Sequence, residues 1–132
     1  MKALTVRQPW AGAIVHQTKR VENRTWKLPP KFLGEQVLLH AAAEPDKNAV
    51  VHGPNLDVFG AVIAVIRFTG YHYDSGADPC CSEWAFSGTY HWTIDKDVTV
   101  LPEPVPAKGR LGFWTPSDDV LASVQDQLAV AQ

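Results

Sequence analysis

Runs and alternations of apolar residues divide the chain into short extended segments punctuated by Gly and Pro. Residues 3–7 read as a strand, with Leu4 and Val6 on one face. Pro9 suits a first helical turn, where its missing N–H needs no partner. Trp10, Ile14 and Val15 form an apolar stripe that predicts a helix over 9–18. Residues 21–26 alternate as an extended stretch: Val21, Asn23 and Thr25 point one way, Glu22, Arg24 and Trp26 the other. Pro29 and Pro30 end it. After Gly34, residues 36–42 read as a second strand, and Val37-Leu38-Leu39 predicts burial on both faces. Residues 44–51 predict a short helix, and Gly53-Pro54-Asn55 a turn. The strongest strand is 59–68, β-branched and nearly continuous. Residues 71–81 have the Asp, Ser, Gly and Pro content of a loop. Further strands are predicted at 89–94, 98–101 and 111–115, with Pro102, Pro104 and Pro106 forcing an extended connection between the last two. Ser117 can cap a final helix to about 128, with Val120, Leu121, Val124 and Leu128 on one side.

About six strands, sequential neighbours among them, and two or three helices point to an α+β domain. The expected architecture is a small, mostly antiparallel β-sheet curling into a barrel with the helices flanking it. No repeat or low-complexity boundary divides residues 1–132, so one domain is expected.

Composition narrows the function. The apolar share of 45% and charged share of 20% fit a globular chain. No segment approaches the roughly 18 consecutive apolar residues of a membrane helix. Arg7 and Gln8 follow Met1 too soon for a signal peptide's apolar stretch, so a cytoplasmic protein without a membrane partner is expected. Cys80 and Cys81 are adjacent, which excludes a disulfide framework and predicts reduced thiols in a loop. Their spacing and that of the five histidines match no metal motif, and no Gly-rich phosphate loop or nucleophile elbow is present. No cofactor or metal is therefore expected. Charge is uneven. Residues 1–31 hold seven basic side chains and one acid, Glu22, for a net +6; the rest of the chain carries −8. Such a local positive field can attract phosphate even on a protein of net charge −2.

Three segments carry candidate chemistry. Arg7-Gln8-Pro9-Trp10 sits at a strand-to-helix junction, where a guanidinium and an amide beside a helix start suit an anion or a base edge. Lys19 to Trp26 places Glu22, Arg24 and Trp26 on one extended face, with Lys19 just before and Asn23 between. A carboxylate there can orient the cations or act as a general base. Ser82-Glu83-Trp84-Ala85-Phe86, followed by Tyr90, His91 and Trp92, interleaves aromatic and polar groups as base stacking requires. Each aromatic has an ordinary alternative as core, and His72 and His91 read as strand-edge or surface residues.

The stretch Ala3 to Ala11, then Lys19-Arg20-Val21-Glu22-Asn23-Arg24-Thr25-Trp26, then Gly34 with the following strand, resembles the ASCH domain family. The segments Ser82-Glu83-Trp84-Ala85 and Gly109-Arg110-Leu111-Gly112-Phe113-Trp114 fit the same pattern, so the resemblance covers about residues 3–115. It implies a PUA-like β-barrel with a cleft and a role with RNA, single-stranded nucleic acid or modified nucleosides. Some ASCH proteins hydrolyse the amide of N4-acetylcytidine with Lys, Thr and Glu side chains; others are nucleases. By resemblance, Lys19 matches the family lysine, Glu22 stands where those enzymes carry threonine, and Glu83 is the counterpart of their glutamate. The leading expectation is a binding domain whose ligand contacts are Arg7, Gln8, Trp10, Asn23, Arg24, Trp26, Ser82 and Trp84. The alternative is a small amidohydrolase or ribonuclease with Lys19, Glu22 and Glu83 as acid–base groups. In it, Arg20, Arg24 and partial burial would lower the Lys19 pKa.

Overall fold

A thirteen-residue strand, β4 (Ala61–Tyr73), organises the molecule, because it is long enough to serve three partners. The computed structural model describes residues 1–76 and 81–130. In chain order its other elements are β1 (Lys2–Val6), α1 (Trp10–His16), β2 (Val21–Arg24), a 3-10 turn (Pro30–Phe32) and β3 (Gln36–Ala41). After β4 come β5 (Tyr90–Ile94), β6 (Thr99–Pro106), β7 (Phe113–Trp114) and α2 (Asp118–Val130). The first half of β4 runs antiparallel to β3 on one edge and to β6 on the other. A register shift between Phe68 and Gly70 then turns its second half onto β5, and β5 pairs with β2. On the far side β3 is parallel to β1, and β1 is antiparallel to β7. The result is a seven-stranded, mostly antiparallel sheet in the order β2-β5-β4-β3-β1-β7, with β6 branching from β4.

The expected barrel closure is not found. The path ends at β2 and β7, and no ladder joins those two strands among the described residues. Both faces of the sheet are covered instead. On one face Leu4, Val6, Val37, Leu39, Ile66, Phe68 and Trp92 pack with Ile14 of α1. On the other, Ala3, Leu38, Val62, Val65, Leu101, Val105 and Trp114 pack under Val124 of α2. Alternation along β1 and β3 feeds the two cores in turn, which is why Val37-Leu38-Leu39 is apolar without a break.

Several expected boundaries move. No helix forms over 44–51. Asp46 instead accepts the Asn48 N–H through Oδ1 in a local turn, and its own N–H donates to the Gln8 carbonyl. β4 continues through Tyr71, His72 and Tyr73, which the composition assigns to a loop; cross-strand pairing with Tyr90, His91 and Trp92 holds them extended. The rest of that expected loop, Cys80 included, falls partly outside the described residues. The three alternating prolines lie inside β6, not in a connection. Among the described residues β6 pairs with β4 alone, and an edge strand tolerates positions without an N–H. The last strand shrinks to Phe113–Trp114. The first helix begins at Trp10, after a cis Gln8–Pro9 peptide. The expected cap holds: Ser117 Oγ accepts the Val120 N–H at the start of α2.

Candidate binding cleft

Lys19 is the least expected feature of the described core. It follows the end of α1, where its N–H donates to the Ala13 carbonyl, and is 1% exposed. Its Nζ donates to the Val21 carbonyl and lies 3.3 Å from Glu22 Oε1. Burial pushes the ammonium below its ordinary pKa, against the opposing pull of the Glu22 carboxylate; Arg24 adds a smaller push in the same downward direction. Arg20, expected to contribute, makes no such contribution. It turns back and donates to the carbonyls of Ile14 and Lys19, closing off the helix end.

Glu22 bridges two cations. Its Oε2 accepts from Arg24 Nε at 3.1 Å and pairs with the guanidinium at 2.8 Å, while Oε1 faces Lys19. The strand period makes this possible, since Glu22 and Arg24 project to the same side of β2. Arg24 also donates to the Thr5 carbonyl of β1 and stands over the Trp92 ring, 5.7 Å from its centroid. The triad is thus fixed from below by the core and from the side by β1.

These three residues line a cleft of about 400 Å³ together with Arg7, Trp10, Asn23, Asp46, Phe86 and Arg110. Trp10 donates its indole N–H to Asp46 Oδ2 at 2.9 Å. That bond, with smaller help from the Asn48 amide and Arg7, holds the Asp46 carboxyl below its usual pKa. Phe86 meets Trp10 edge-on at 5.4 Å. The loop bearing Phe86 is pinned by Asn23, whose amide donates to the Trp84 carbonyl and accepts the Phe86 N–H, each at 2.9 Å.

Of the residues proposed from sequence, Arg7, Trp10, Lys19, Glu22, Asn23 and Arg24 therefore reach one cleft. The others do different work. Gln8 is buried: its Oε1 accepts the Gly12 N–H and its Nε2 donates to the Val58 carbonyl, so it caps α1 instead of facing a ligand. Trp26 lies past the end of β2, packed edge-on to Trp92 at 4.6 Å. Ser82 Oγ accepts the Trp84 N–H and shapes the loop. Glu83 meets Thr18 Oγ1 at 3.2 Å, and Trp84 donates its indole N–H to the same hydroxyl. None of these five lines the cleft. Sequence reasoning missed Asp46 and Arg110 as lining residues. Arg110 sits in a segment already singled out, but nothing near Asp46 announces that it would meet Trp10 across 36 positions.

No protein-family model matches the chain, and no curated protein matches it.

Proposed function

We propose that the cleft binds a nucleotide unit, as part of a short RNA or as a modified nucleoside derivative, and that the chain is an ASCH-type, PUA-like binding domain. The observation that carries this reading is convergence. Arg7 from the end of β1, Lys19 from beyond α1 and Arg24 from β2 meet beside Trp10 and Phe86. A cleft of about 400 Å³ lies in the range of roughly 300–1,000 Å³ that small-molecule sites occupy. Guanidinium groups suit phosphate oxygens, and the aromatic pair suits a base or its edge. Titration of the full chain with nucleoside monophosphates and with short single-stranded RNA at low salt, followed by tryptophan fluorescence, tests it. Saturable one-to-one binding that weakens with salt is expected, and Arg7→Ala, an exposed change, should weaken it about tenfold, as loss of one charged contact does. Absence of binding at low salt to both classes would overturn the reading.

A second reading, hydrolysis of an acylated cytidine, is favoured by the buried Lys19 alone. Burial lowers the pKa of this amine, which shifts it toward the neutral form that a general base requires, and its Nζ lies beside Glu22 at the cleft. Water oxygen would add to the acyl carbon, its proton passing to Lys19. Glu22 would relay that proton to the amide nitrogen, and the C–N bond would break to give cytidine and the carboxylic acid, which loses its remaining proton to solvent as the carboxylate. Incubation with N4-acetylcytidine should release acetate, and Lys19→Ala should abolish release. Lack of turnover with any acyl-cytidine removes this reading and leaves the binding one intact.

A further inference from the structure

Cross-strand pairing places His72 of β4 directly opposite His91 of β5. Their rings meet edge-on with centroids 5.0 Å apart, and His91 Nδ1 is 3.1 Å from His72 Nε2. Cys81 joins them from the connecting segment. Its Sγ lies 3.3 Å from His72 Nε2 and 3.5 Å from His91 Nδ1. Sequence spacing alone shows no such set, because the ligating atoms meet through strand register and not through a local motif.

The three separations match what one tetrahedral ion demands. Zinc bonds of about 2.3 Å to sulfur and about 2.0–2.1 Å to nitrogen put S and N about 3.5 Å apart, and the two nitrogens about 3.3 Å apart. The protonation pattern also fits. His91 Nε2 lies 2.7 Å from the Phe86 carbonyl, which can only accept. A neutral His91 therefore carries its proton on Nε2 and turns the Nδ1 lone pair toward His72 and Cys81. Asp74 Oδ2 stands 3.8 Å from the same Nε2, on the side away from the cluster, where it would raise the ring's basicity toward a metal. Cys81 holds φ at +93°, a conformation that side-chain-bearing residues rarely adopt, and from it the thiol faces the two rings.

We propose that His72 Nε2, Cys81 Sγ and His91 Nδ1 ligate one zinc-class divalent cation, leaving the fourth tetrahedral position to a ligand outside this set. Two imidazoles and a thiolate form a borderline-soft donor set suited to zinc and poorly suited to magnesium or calcium. Binding would exchange the Cys81 thiol proton for the metal. The ion would clip the ends of β4 and β5 to the segment that leads to Phe86, and so would brace one wall of the cleft. The site stands independently of what the cleft binds.

The test uses the full chain, stripped of metal and kept reduced, titrated with Co(II) and then with Zn(II). One Co(II) per chain is expected, with a thiolate-to-cobalt charge-transfer band and the visible bands of a tetrahedral ion, all displaced by Zn(II). Zinc should raise the melting temperature of the wild-type chain. Cys81→Ser should remove the charge-transfer band, and His72→Ala, at an accessible position, should weaken affinity at least tenfold. Cys80→Ser should retain the band. The proposal is overturned if Co(II) gives no charge-transfer band. It is equally overturned if the band persists in Cys81→Ser and vanishes in Cys80→Ser, or if His72→Ala leaves affinity unchanged.

Discussion

Glu22 is held between Lys19 and Arg24, so its negative charge serves two cations at once. Removing one partner of a buried ion pair leaves uncompensated charge, at a typical cost of about 3–5 kcal/mol. Arg24 is partly open to solvent, which places the expected loss for Glu22→Gln near the lower end. A chemical-denaturation midpoint unchanged from wild type would contradict this. His40 offers a different residue-scale test. It is buried, with Nε2 2.6 Å from the Ala107 carbonyl and Nδ1 3.1 Å from Thr5 Oγ1. Burial lowers its pKa, outweighing the raising effect of the Ala107 carbonyl. The unfolded chain therefore takes up a proton near the ordinary histidine value of about 6.5, while the folded chain resists until lower pH. Stability present above about pH 6.5 is lost as pH falls toward the lowered folded value. The denaturation midpoint should drop on acidification, and His40→Gln should flatten that drop; equal slopes in the two proteins would refute the assignment. Lys19 and Glu22 were visible in the sequence as the cation after a helix and the lone acid among seven bases. Partial burial of Lys19 was expected as well; that the burial is nearly complete, and outweighs Arg24 as the cause of the lowered pKa, comes from the tertiary fold.

Asn23 shows how one strand position governs a whole loop. Its side chain both donates to the Trp84 carbonyl and accepts the Phe86 N–H, so β2 and the 84–89 segment act as one unit. Asn23→Ala would leave two backbone groups without their partner, at about 1–3 kcal/mol for any that stay buried. The expected outcome is faster amide exchange at Phe86 and weaker ligand binding, while α2 exchanges as before. Unchanged exchange at Phe86 would mean that other contacts hold the loop. At this scale, legibility follows the strength of the local pattern. β3 and the capped start of α2 were readable, because Val37-Leu38-Leu39 and Ser117 state their structure within a few residues. The second half of β4 was not, since Tyr71, His72 and Tyr73 become strand only through β5 opposite them. The expected helix over 44–51 failed because Asp46 is spent on Asn48 and Trp10. The start of β6 was readable at 98–101, but its Pro102–Pro106 half was misread as a connection because proline content marks loops in general, and an edge strand is the exception.

Across the whole molecule, the excess of positive charge in the first 31 residues divides between site and scaffold. Arg7, Lys19 and Arg24 reach the cleft, whereas Lys2 donates to Thr115, Lys31 lies over Phe32 and Arg20 closes α1. Net charge by segment therefore pointed to the part of the chain that supplies three cations to the cleft, without identifying which residues they are. What joins that region to the rest is the aromatic cluster beneath it. Trp92 is fully buried, stacks on Phe113 at 5.7 Å, meets Trp26 and Phe68 edge-on, and supports Arg24 from below. Its indole N–H donates to the Trp26 carbonyl at 3.0 Å. One side chain thus connects β5 with β4, β7 and the segment after β2. Trp92→Ala should cost about 3–5 kcal/mol, as large aromatic truncations do. That is a large part of the roughly 5–15 kcal/mol that holds a typical domain. Trp92→Phe keeps a ring in the stack and under Arg24, and loses only some volume and the bond to Trp26. It should therefore retain more than half of that stability, measured by urea denaturation. If the two variants lose equal amounts, the single indole hydrogen bond, and not the stacked aromatic area, is what ties the cleft to the core.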